Sequence, residues 1–413
     1  MTEVDVKREL ALHGRFMHPG GVIPLAETVD VPSGAIVSGH GPRYIFKVAG
    51  DYPAFRIVCD DPEGITLCGF KVTRASGRAS GIVLYGRDLL VENVWIENCL
   101  RGIEMAEFDA KSRNVVMRRV RVSHSAPTAS TSQFGIMATH VDGLVVEDCD
   151  LADAWLDGLK LYKWCRDVRV LRGRFHHNGK AYAVNGTAGE GIDCFTGGED
   201  VVIDGTVLDH NGGSGLIIKT SGPHAGMNFN PEFGRQRNFT LRDIVARDNV
   251  GAGIGIEGVY DSGSVFSPRL DSAAEDDRPR AAQIEIISAR CENNGLHGLF
   301  LNGLDIQVQG GVMRANGLEG IRIGENARDV RVADTSIIGC GTAVAAGAAL
   351  PVTVELGADR IHFDRVLMDA KDGMGDAVHA YGITSFTGTG KAVARDCRNL
   401  NATASSDAFR EIG

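Results

Sequence analysis

Short runs of alternating apolar and polar residues, each opened by a glycine, recur along the chain. They have the form Gly-φ-x-φ, where φ is apolar, and uninterrupted copies stand 21–24 residues apart, as from Gly81 to Gly102 and from Gly191 to Gly215. Alternation with a period of two is typical of a strand with one buried face. The runs are GIVLYG, GIEMAE, GIMATH, GLKLYK, GIDCFT, GLIIKT, GIGIEG, GLFLNG, GIRIGE and GTAVAA.

A second pattern follows these runs and contains two further alternating segments with a bend between them. It usually opens with Asp or Asn, as in DLLVENVWIENC from Asp88 and NFTLRDIVARDNVG from Asn238. One repeat therefore holds three short strands in about 22 residues. Three such strands cannot bury their own apolar faces, so successive repeats must stack. The pattern predicts an all-β fold, a single-stranded parallel β-helix of about a dozen coils.

Four asparagines occupy equivalent positions in successive repeats, each four residues before the glycine of the next run. We expect them to stack at one bend and to hydrogen-bond along the stack, which satisfies backbone groups that a sharp turn leaves unpaired. They are Asn211, Asn249, Asn294 and Asn316.

The repeat pattern covers most of the chain and no linker interrupts it. We expect an amino-terminal cap at residues 1–20, a β-helix domain at residues 21–390, and a carboxy-terminal tail or cap at residues 391–413. The chain has 53 glycines beside 12 prolines, and the glycines lack the period of three that collagen requires.

Charge and cysteine content exclude several classes of protein. The net charge of −10 argues against general nucleic-acid binding, which needs a positive surface. No apolar stretch is long enough to predict a membrane-spanning helix, and we expect no secretory signal in the chain as given. The nine cysteines are scattered and form no CxxC motif, so we interpret them as mostly free, buried apolar residues.

The stacked Gly-φ-x-φ runs and their turn glycines resemble the pectate-lyase-like right-handed β-helix superfamily. That resemblance implies a right-handed coil and a function among polysaccharide lyases, glycoside hydrolases, uronan epimerases and phage tail spikes. GIDCF and GLIIKTSG only echo parts of the polygalacturonase motifs, and the DPHE-type epimerase motif is missing. No catalytic residue is therefore transferred from the superfamily.

Candidate catalytic residues come from aligning the Gly-φ-x-φ runs. Residues two and four positions after each glycine should point outward, and those of neighbouring coils should lie about 4.8 Å apart. The outward residues with chemically reactive side chains are concentrated in the middle coils. The longest insertions flank these coils and begin at Gly179, Ser221 and Gly258. The candidate catalytic residues are Lys160, Tyr162, Asp193, Lys219 and Glu257.

Two reactions suit this set. In an inverting hydrolase, Asp193 would act as the base and Glu257, two coils away, as the acid. In a lyase, Lys160, Lys219 and Tyr162 would remove the proton next to a uronate carboxylate and stabilise the resulting charge. An ordinary cross-strand charge ladder explains the same residues without any chemistry.

Other residues could contact a sugar, although aromatic stacks in β-helices are also structural. His177 could be a general base or simply a solvated turn residue. Asp157 and Glu190, which precede their glycines, are interpreted as turn caps. The candidate substrate-binding residues are Tyr85, Lys163, Trp164, His177, Phe195 and Asn302.

The favoured function is binding, and cleavage by hydrolysis or elimination, of a cell-surface or extracellular polysaccharide or oligosaccharide. One alternative is a phage tail spike or fibre that recognises a host glycan, with or without depolymerase activity, and another is a purely structural β-helix. We expect an extracellular or virion-tail location, no membrane insertion, and a monomer or homotrimer. No cofactor or metal site is indicated, although scattered carboxylates leave calcium open.

Overall fold

A computed structural model defines the structure of the chain, which divides into two compact units, Met1–Asp193 and Cys194–Gly413. The structure describes residues 2–57, 63–74, 79–105, 112–123, 134–186, 189–195, 197–221, 236–260, 281–343, 352–355, 358–369, 392–395 and 397–399.

The first unit opens with helix α1 (Glu3–His13) and then coils through three parallel sheets. Sheet A contains β1 (Arg15–Met17), β4 (Ile36–Ser38), β7 (Thr66–Cys68), β10 (Arg87–Glu92), β13 (Ser112–Arg118), β16 (Val141–Glu147) and β19 (Cys165–Leu171). Sheet B contains β2 (Gly21–Leu25), β5 (Tyr44–Val48), β8 (Lys71–Arg74), β11 (Trp95–Glu97), β14 (Arg121–Ser123), β17 (Asp150–Ala152) and β20 (Arg174–His176). Sheet C contains β3 (Val29–Val31), β6 (Phe55–Ile57), β9 (Ile82–Val83), β12 (Arg101–Met105), β15 (Phe134–Thr139), β18 (Leu159–Tyr162) and β21 (Ile192–Phe195), whose central residues span the boundary between the units. A short helix, α2 (Ala181–Asn185), precedes β21.

The second unit repeats the same three-strand coil. Its sheet A strands are β22 (Gly198–Asp204), β25 (Arg237–Arg242), β28 (Ala282–Ile287), β31 (Leu304–Gln309), β34 (Arg328–Ala333), β37 (Asp359–Asp364) and β39 (Ala392–Arg395). Its sheet B strands are β23 (Val207–Asp209), β26 (Val245–Arg247), β29 (Arg290–Glu292), β32 (Val312–Arg314), β35 (Ser336–Ile338), β38 (Leu367–Asp369) and β40 (Arg398–Asn399). Its sheet C strands are β24 (Leu216–Ser221), β27 (Ile254–Tyr260), β30 (Leu299–Leu301), β33 (Ile321–Ile323) and β36 (Val352–Val354).

The predicted parallel β-helix is confirmed, and so is its three-strand repeat. Nine of the ten Gly-φ-x-φ runs form sheet C strands, and the second pattern forms sheets A and B. Residues 344–346 of the tenth run, GTAVAA from Gly341, lie outside the described residues. Within the described residues sheet C has 12 strands, which agrees with the predicted dozen coils. The predicted domain boundaries at residues 20 and 390 stay predictions.

Close approach between coils explains the recurring glycines. A Cβ atom on Gly135 would lie 2.4 Å from the carbonyl oxygen of Gly158, and one on Gly158 would lie 2.7 Å from that of Gly191. Any larger residue would push these coils apart, so the repeat needs glycine at these two positions, which open the Gly-φ-x-φ runs of β15 and β18.

Left-handed backbone explains why the second pattern opens with Asp or Asn. Asp88, Asn114 and Asn238 have φ values of 54°, 51° and 57°. Short polar side chains tolerate this conformation better than most residues do. The turn into sheet A therefore selects them.

Helix α1 covers the first coil. Thr2 caps its start, because its backbone N–H donates to the Asp5 carboxylate at 2.9 Å, and Gly14 ends it at φ 63°. Val6 and Leu10 are buried, and the helix lies against β1, β2 and β3.

The interior is a stack of inward-facing apolar side chains that includes buried cysteines. Phe46, Phe55 and Phe70 pack together in the first coils, with ring centroids 4.9–5.4 Å apart. Eight cysteines are described and none of these forms a disulfide, and most of them are buried, as predicted. Burial raises the pKa of the Cys99 and Cys149 thiols to about 12, which makes them poor nucleophiles.

The predicted asparagine ladder is confirmed in the second unit. Each side-chain amide donates to the next asparagine at 2.9 Å, from Asn211 to Asn249 to Asn294 to Asn316. The backbone N–H groups donate to the same oxygens at 3.1–3.2 Å. Every rung of the ladder therefore satisfies both side-chain and backbone groups of a buried bend.

No helix among the described residues is long and apolar enough to cross a membrane.

Replacing Asn294 by Ala tests the ladder. The change leaves the buried amide of Asn249 and the carbonyl of Ala246 without their partner, since the Asn294 side chain donates to Ala246 at 3.0 Å. We expect the free energy of unfolding to fall by about 2–4 kcal/mol in urea denaturation. The matched control is Gln307→Ala, an exposed amide on β31, which should change stability by less than about 0.5 kcal/mol. Equal losses in the two variants would show that the ladder adds nothing.

Candidate functional site

Sheet C of the first unit aligns the outward residues that the sequence predicts. Met137 on β15 is in register with Lys160 on β18, and Thr139 with Tyr162. The same column continues in the other direction from Met137 to Glu104 on β12. Outward residues that lie 23 or 33 positions apart in the sequence are therefore neighbours.

A cluster of three carboxylates and one ammonium group lies on this sheet. One oxygen from each of Asp157, Glu190 and Asp193, together the carboxylate cluster, lies within 4.8 Å of the other two. The Lys160 Nζ atom donates to Asp157 Oδ2 at 3.2 Å and also to Asp193 Oδ2. Lys160 and Asp193 are thus brought together as predicted.

All three acidic residues are deeply buried. Asp157 is 3% exposed, Glu190 6% and Asp193 1%. Burying one carboxylate is costly unless a cation or a proton compensates it. The Lys160 ammonium group supplies a compensating positive charge to Asp157 and Asp193.

The backbone around each sheet C glycine builds the cluster. The Glu190 N–H donates to Asp157 Oδ1 at 2.9 Å, and the Gly158 N–H donates to the Glu190 carbonyl at 2.9 Å. The predicted turn-capping contact of Asp157 is therefore present. The same carboxylate also binds Lys160, so capping is only part of its role.

Among the described residues, the carboxylate cluster is a group that could hold a metal ion. Carboxylate oxygens suit a hard cation such as Ca²⁺. Lys160 donates to two of the three carboxylates, so an ion would compete with its ammonium group.

Aromatic rings and further cations lie beside the cluster in the first unit. Lys160 Nζ is 5.4 Å from the Phe134 ring centroid, and Lys163 Nζ is 5.1 Å from that of Tyr162. The Arg166 guanidinium lies 4.9 Å from the Trp164 ring. Lys163 and Trp164 both have positive φ, 49° and 56°, and form the turn that follows β18.

The second unit contains the remaining predicted catalytic residues. Lys219 on β24 is in register with Glu257 on β27, and the Lys219 ammonium lies 5.6 Å from the Phe195 ring centroid. These three residues therefore form a second cation–aromatic–acid group on sheet C. The predicted inverting pair of Asp193 and Glu257 stays a prediction.

The structure describes the surroundings of three further predicted substrate-binding residues, whose role stays a prediction. His177 follows β20 in sheet B, and its Nδ1 atom lies 2.8 Å from Nδ1 of His176, so it does not share the sheet C face. Asn302 is 9% exposed, and its side-chain oxygen accepts the Asn326 N–H at 2.9 Å, a turn-stabilising contact. Tyr85 is half-buried after β9.

Two of the three long insertions, those that begin at Ser221 and Gly258, lie largely outside the described residues, at 222–235 and 261–280.

Sequence reasoning treated Asp157 and Glu190 as caps and missed their part in the cluster. A usable signal was present in the spacing. Asp157 stands three residues before Lys160, and Glu190 stands three residues before Asp193 on the next sheet C strand. Each pair of charged residues flanks a glycine at the same spacing, so the two pairs lie close together when the repeats stack.

A buried histidine contacts a half-buried carboxylate on sheet C of the second unit. His297 Nδ1 is 2.7 Å from Glu319 Oε2, and Thr353 donates to the other Glu319 oxygen at 2.8 Å. Burial disfavours the charged form of Glu319, but the hydrogen bond and charge of His297 outweigh it and lower the pKa of Glu319 to about 2. The pair is positioned by the same stacking, because His297 and Glu319 each precede a sheet C glycine.

Comparison with known proteins identifies the class. A family model described as a right-handed β-helix region matches residues 57–230, and the chain is a right-handed parallel β-helix. No curated protein sequence matches the chain.

Three solved structures share the fold. The periplasmic alginate epimerase AlgG superimposes with a TM-score of 0.53 at 11% identity, covering 97% of this chain and 83% of that chain. The Dettilon tailspike protein gp208 superimposes with a TM-score of 0.55 at 15% identity, covering 95% of this chain and 64% of that chain. The catalytic domain of a GH87 α-1,3-glucanase in complex with nigerose superimposes with a TM-score of 0.54 at 12% identity, covering 92% of this chain and 65% of that chain. The chain thus spans a little under two thirds of the last two, and at these identities the likeness is one of fold.

Replacing Glu319 by Gln should give a pH-dependent loss of stability. A carboxyl group whose pKa falls on folding stabilises the folded state above its unfolded value of 4.5, and that contribution is lost as the pH falls toward 2. We expect Glu319→Gln to lower the free energy of unfolding by about 2 kcal/mol at pH 7 and by much less at pH 3. Urea denaturation at both pH values measures this, with the exposed Glu285→Gln as control. A difference that does not change with pH would contradict the ion pair.

Proposed function

We propose that the chain is a glycan hydrolase whose active site is the carboxylate cluster with Lys160. The observation that carries the proposal is the convergence of three buried carboxyl oxygens within 4.8 Å of one another beside an ammonium group. Carboxyl groups held close in a buried site divide into proton donors and proton acceptors. That division is what glycosidic bond hydrolysis requires.

The roles follow from the hydrogen bonds of Lys160. Asp157 and Asp193 both accept from its ammonium group and serve as the acceptors of the site. Glu190, whose backbone N–H donates to Asp157 Oδ1, is the proposed proton donor to the leaving oxygen. This assignment replaces Glu257 by Glu190 as the acid.

The short spacing favours a retaining mechanism. Inverting enzymes separate their carboxyl groups by about 6.5–9.5 Å to admit a water, whereas retaining enzymes use about 5–5.5 Å. The carboxylate oxygens here lie within 4.8 Å of one another. Asp193 is the proposed nucleophile, and the product keeps its anomeric configuration.

Charge favours hydrolysis of a neutral glycan over elimination from a uronate. The cluster carries three acidic groups and one base, so an anionic sugar would be repelled. An ammonium group that donates to two carboxylates is also a poor proton acceptor, which counts against Lys160 as the base of a lyase. Tyr162, Lys163 and Trp164 are the proposed sugar contacts beside the cluster, and the GH87 enzyme's nigerose complex is a precedent for a glucan on this fold.

A tail spike is the second candidate, favoured by the fold match to the Dettilon tailspike. In that case the chain recognises a host surface glycan from a virion, as a homotrimer, and the same cluster cleaves it. In the other arrangement, the chain is a monomer that is secreted or exported and acts on an extracellular polysaccharide.

The hydrolase proposal predicts the behaviour of four variants on a panel of neutral and uronate polysaccharides. Asp193→Asn, Glu190→Gln and Asp157→Asn should each lower the release of reducing ends by at least about 100-fold. The control Asp142→Asn, an exposed carboxylate on β16, should keep wild-type activity. Ultraviolet absorbance of the product separates hydrolysis from elimination, because only elimination leaves an unsaturated sugar. Full activity of Asp193→Asn and Glu190→Gln, or an unsaturated product, would refute the proposal.

A further inference from the structure

The outward face of sheet B in the first unit contains a groove that is separate from sheet C. Its volume is about 310 Å³. Its lining combines one indole, three carboxylates, a guanidinium, an imidazole and a hydroxyl, from Trp95, Glu97, Asp150, Asp153, Arg121, His176 and Ser123.

Strand register explains why a groove forms here. One outward column runs from Trp95 to Arg121 to Asp150 on successive strands. The parallel column holds the small residues Ser123 and Ala152 in its middle. Long side chains on one side and short ones on the other leave a trough along the stack.

The two ends of the trough carry hydrogen-bonding groups. Glu97 is in register with Ser123, and His176 with Ala152, so the trough runs three strand spacings from Glu97 to His176. At about 4.8 Å per strand this is roughly 14 Å, long enough for an oligosaccharide of a few residues.

The charges of the groove are balanced. Each acidic residue of the lining pairs with a cation: Glu97 with Lys71 at 2.6 Å, Asp150 with Arg121 at 3.3 Å, and Asp153 with Lys180 at 2.7 Å. A strongly charged ligand would therefore gain little electrostatic attraction from this groove. A neutral ligand rich in hydroxyl groups could use both the donors and the acceptors.

We propose that this groove is a second glycan-binding site, which holds neutral pyranose rings against the Trp95 indole. Arg121 donates to ring hydroxyls, while Glu97 and Asp150 accept from them. The indole provides a flat apolar face for the ring C–H groups, and its edge stays available to solvent. The site is independent of the hydrolase proposal and would anchor a long glycan whether or not sheet C cleaves it.

Fluorine NMR of protein labelled with 5-fluorotryptophan tests the site. The chain has three tryptophans, Trp95 in the groove, Trp155 in the interior and Trp164 beside the carboxylate cluster, and Trp→Phe variants assign their resonances. The probes are glucose hexasaccharides with α-1,3, α-1,4, β-1,3 and β-1,4 linkages, and a galacturonate hexamer as the anionic comparison.

We expect at least one neutral hexasaccharide to shift the Trp95 resonance and the galacturonate hexamer to leave it unchanged. Ser123→Leu, which fills the trough, should weaken that titration about tenfold, and Trp95→Ala should weaken binding measured by calorimetry to a similar extent. Trp164→Phe is the matched control and should leave the Trp95 titration intact.

Three results would overturn the groove site. They are no Trp95 shift with any neutral probe, an unchanged titration in Ser123→Leu, and a preference for the anionic hexamer. Shifts confined to Trp164 would place binding at the carboxylate cluster alone, which refutes the groove while leaving the hydrolase proposal standing.

Discussion

Parallel backbone hydrogen bonds between successive coils determine which side chains of this protein stand together. They fix the register, so that Lys160 aligns with Met137 and Trp95 with Arg121, although these partners are more than 20 residues apart in the chain. Glycines that open the sheet C runs, such as Gly135 and Gly158, keep those coils close enough for the bonds. The strand register therefore decides which side chains stand together on one face, and that group can be identified only after the register is known.

Burial adds a second constraint, because a polar group inside the stack must find its partner on a neighbouring coil. The asparagine ladder meets this requirement with neutral amides that repeat from coil to coil. The carboxylate cluster meets it with Lys160, which bridges Asp157 and Asp193. Amides need only a donor and an acceptor on the neighbouring coils, whereas buried carboxylates need a positive charge beside them. That difference is why the proposed site lies at the carboxylate cluster and not along the ladder.

The repeat, the glycines, the asparagine ladder and the Lys160–Asp193 contact were predictable, because each depends on spacing alone. Asp157 and Glu190 were harder, since they stand at the bend before the strand, where alternation no longer tells which way a side chain points. The sheet B groove was not foreseen. It depends on two small residues, Ser123 and Ala152, that happen to adjoin in register. Small outward residues leave no hydrophobic or charge pattern to detect.

The central claim is that the carboxylate cluster acts on a sugar, and the most direct measurement is a crystal structure of the Asp193→Asn variant with a bound neutral oligosaccharide. The account predicts a glycosidic oxygen within hydrogen-bond distance of the Glu190 carboxyl, with Lys160 and Asp157 contacting the same sugar. An oligosaccharide that binds only away from Asp157, Lys160 and Glu190 would contradict it.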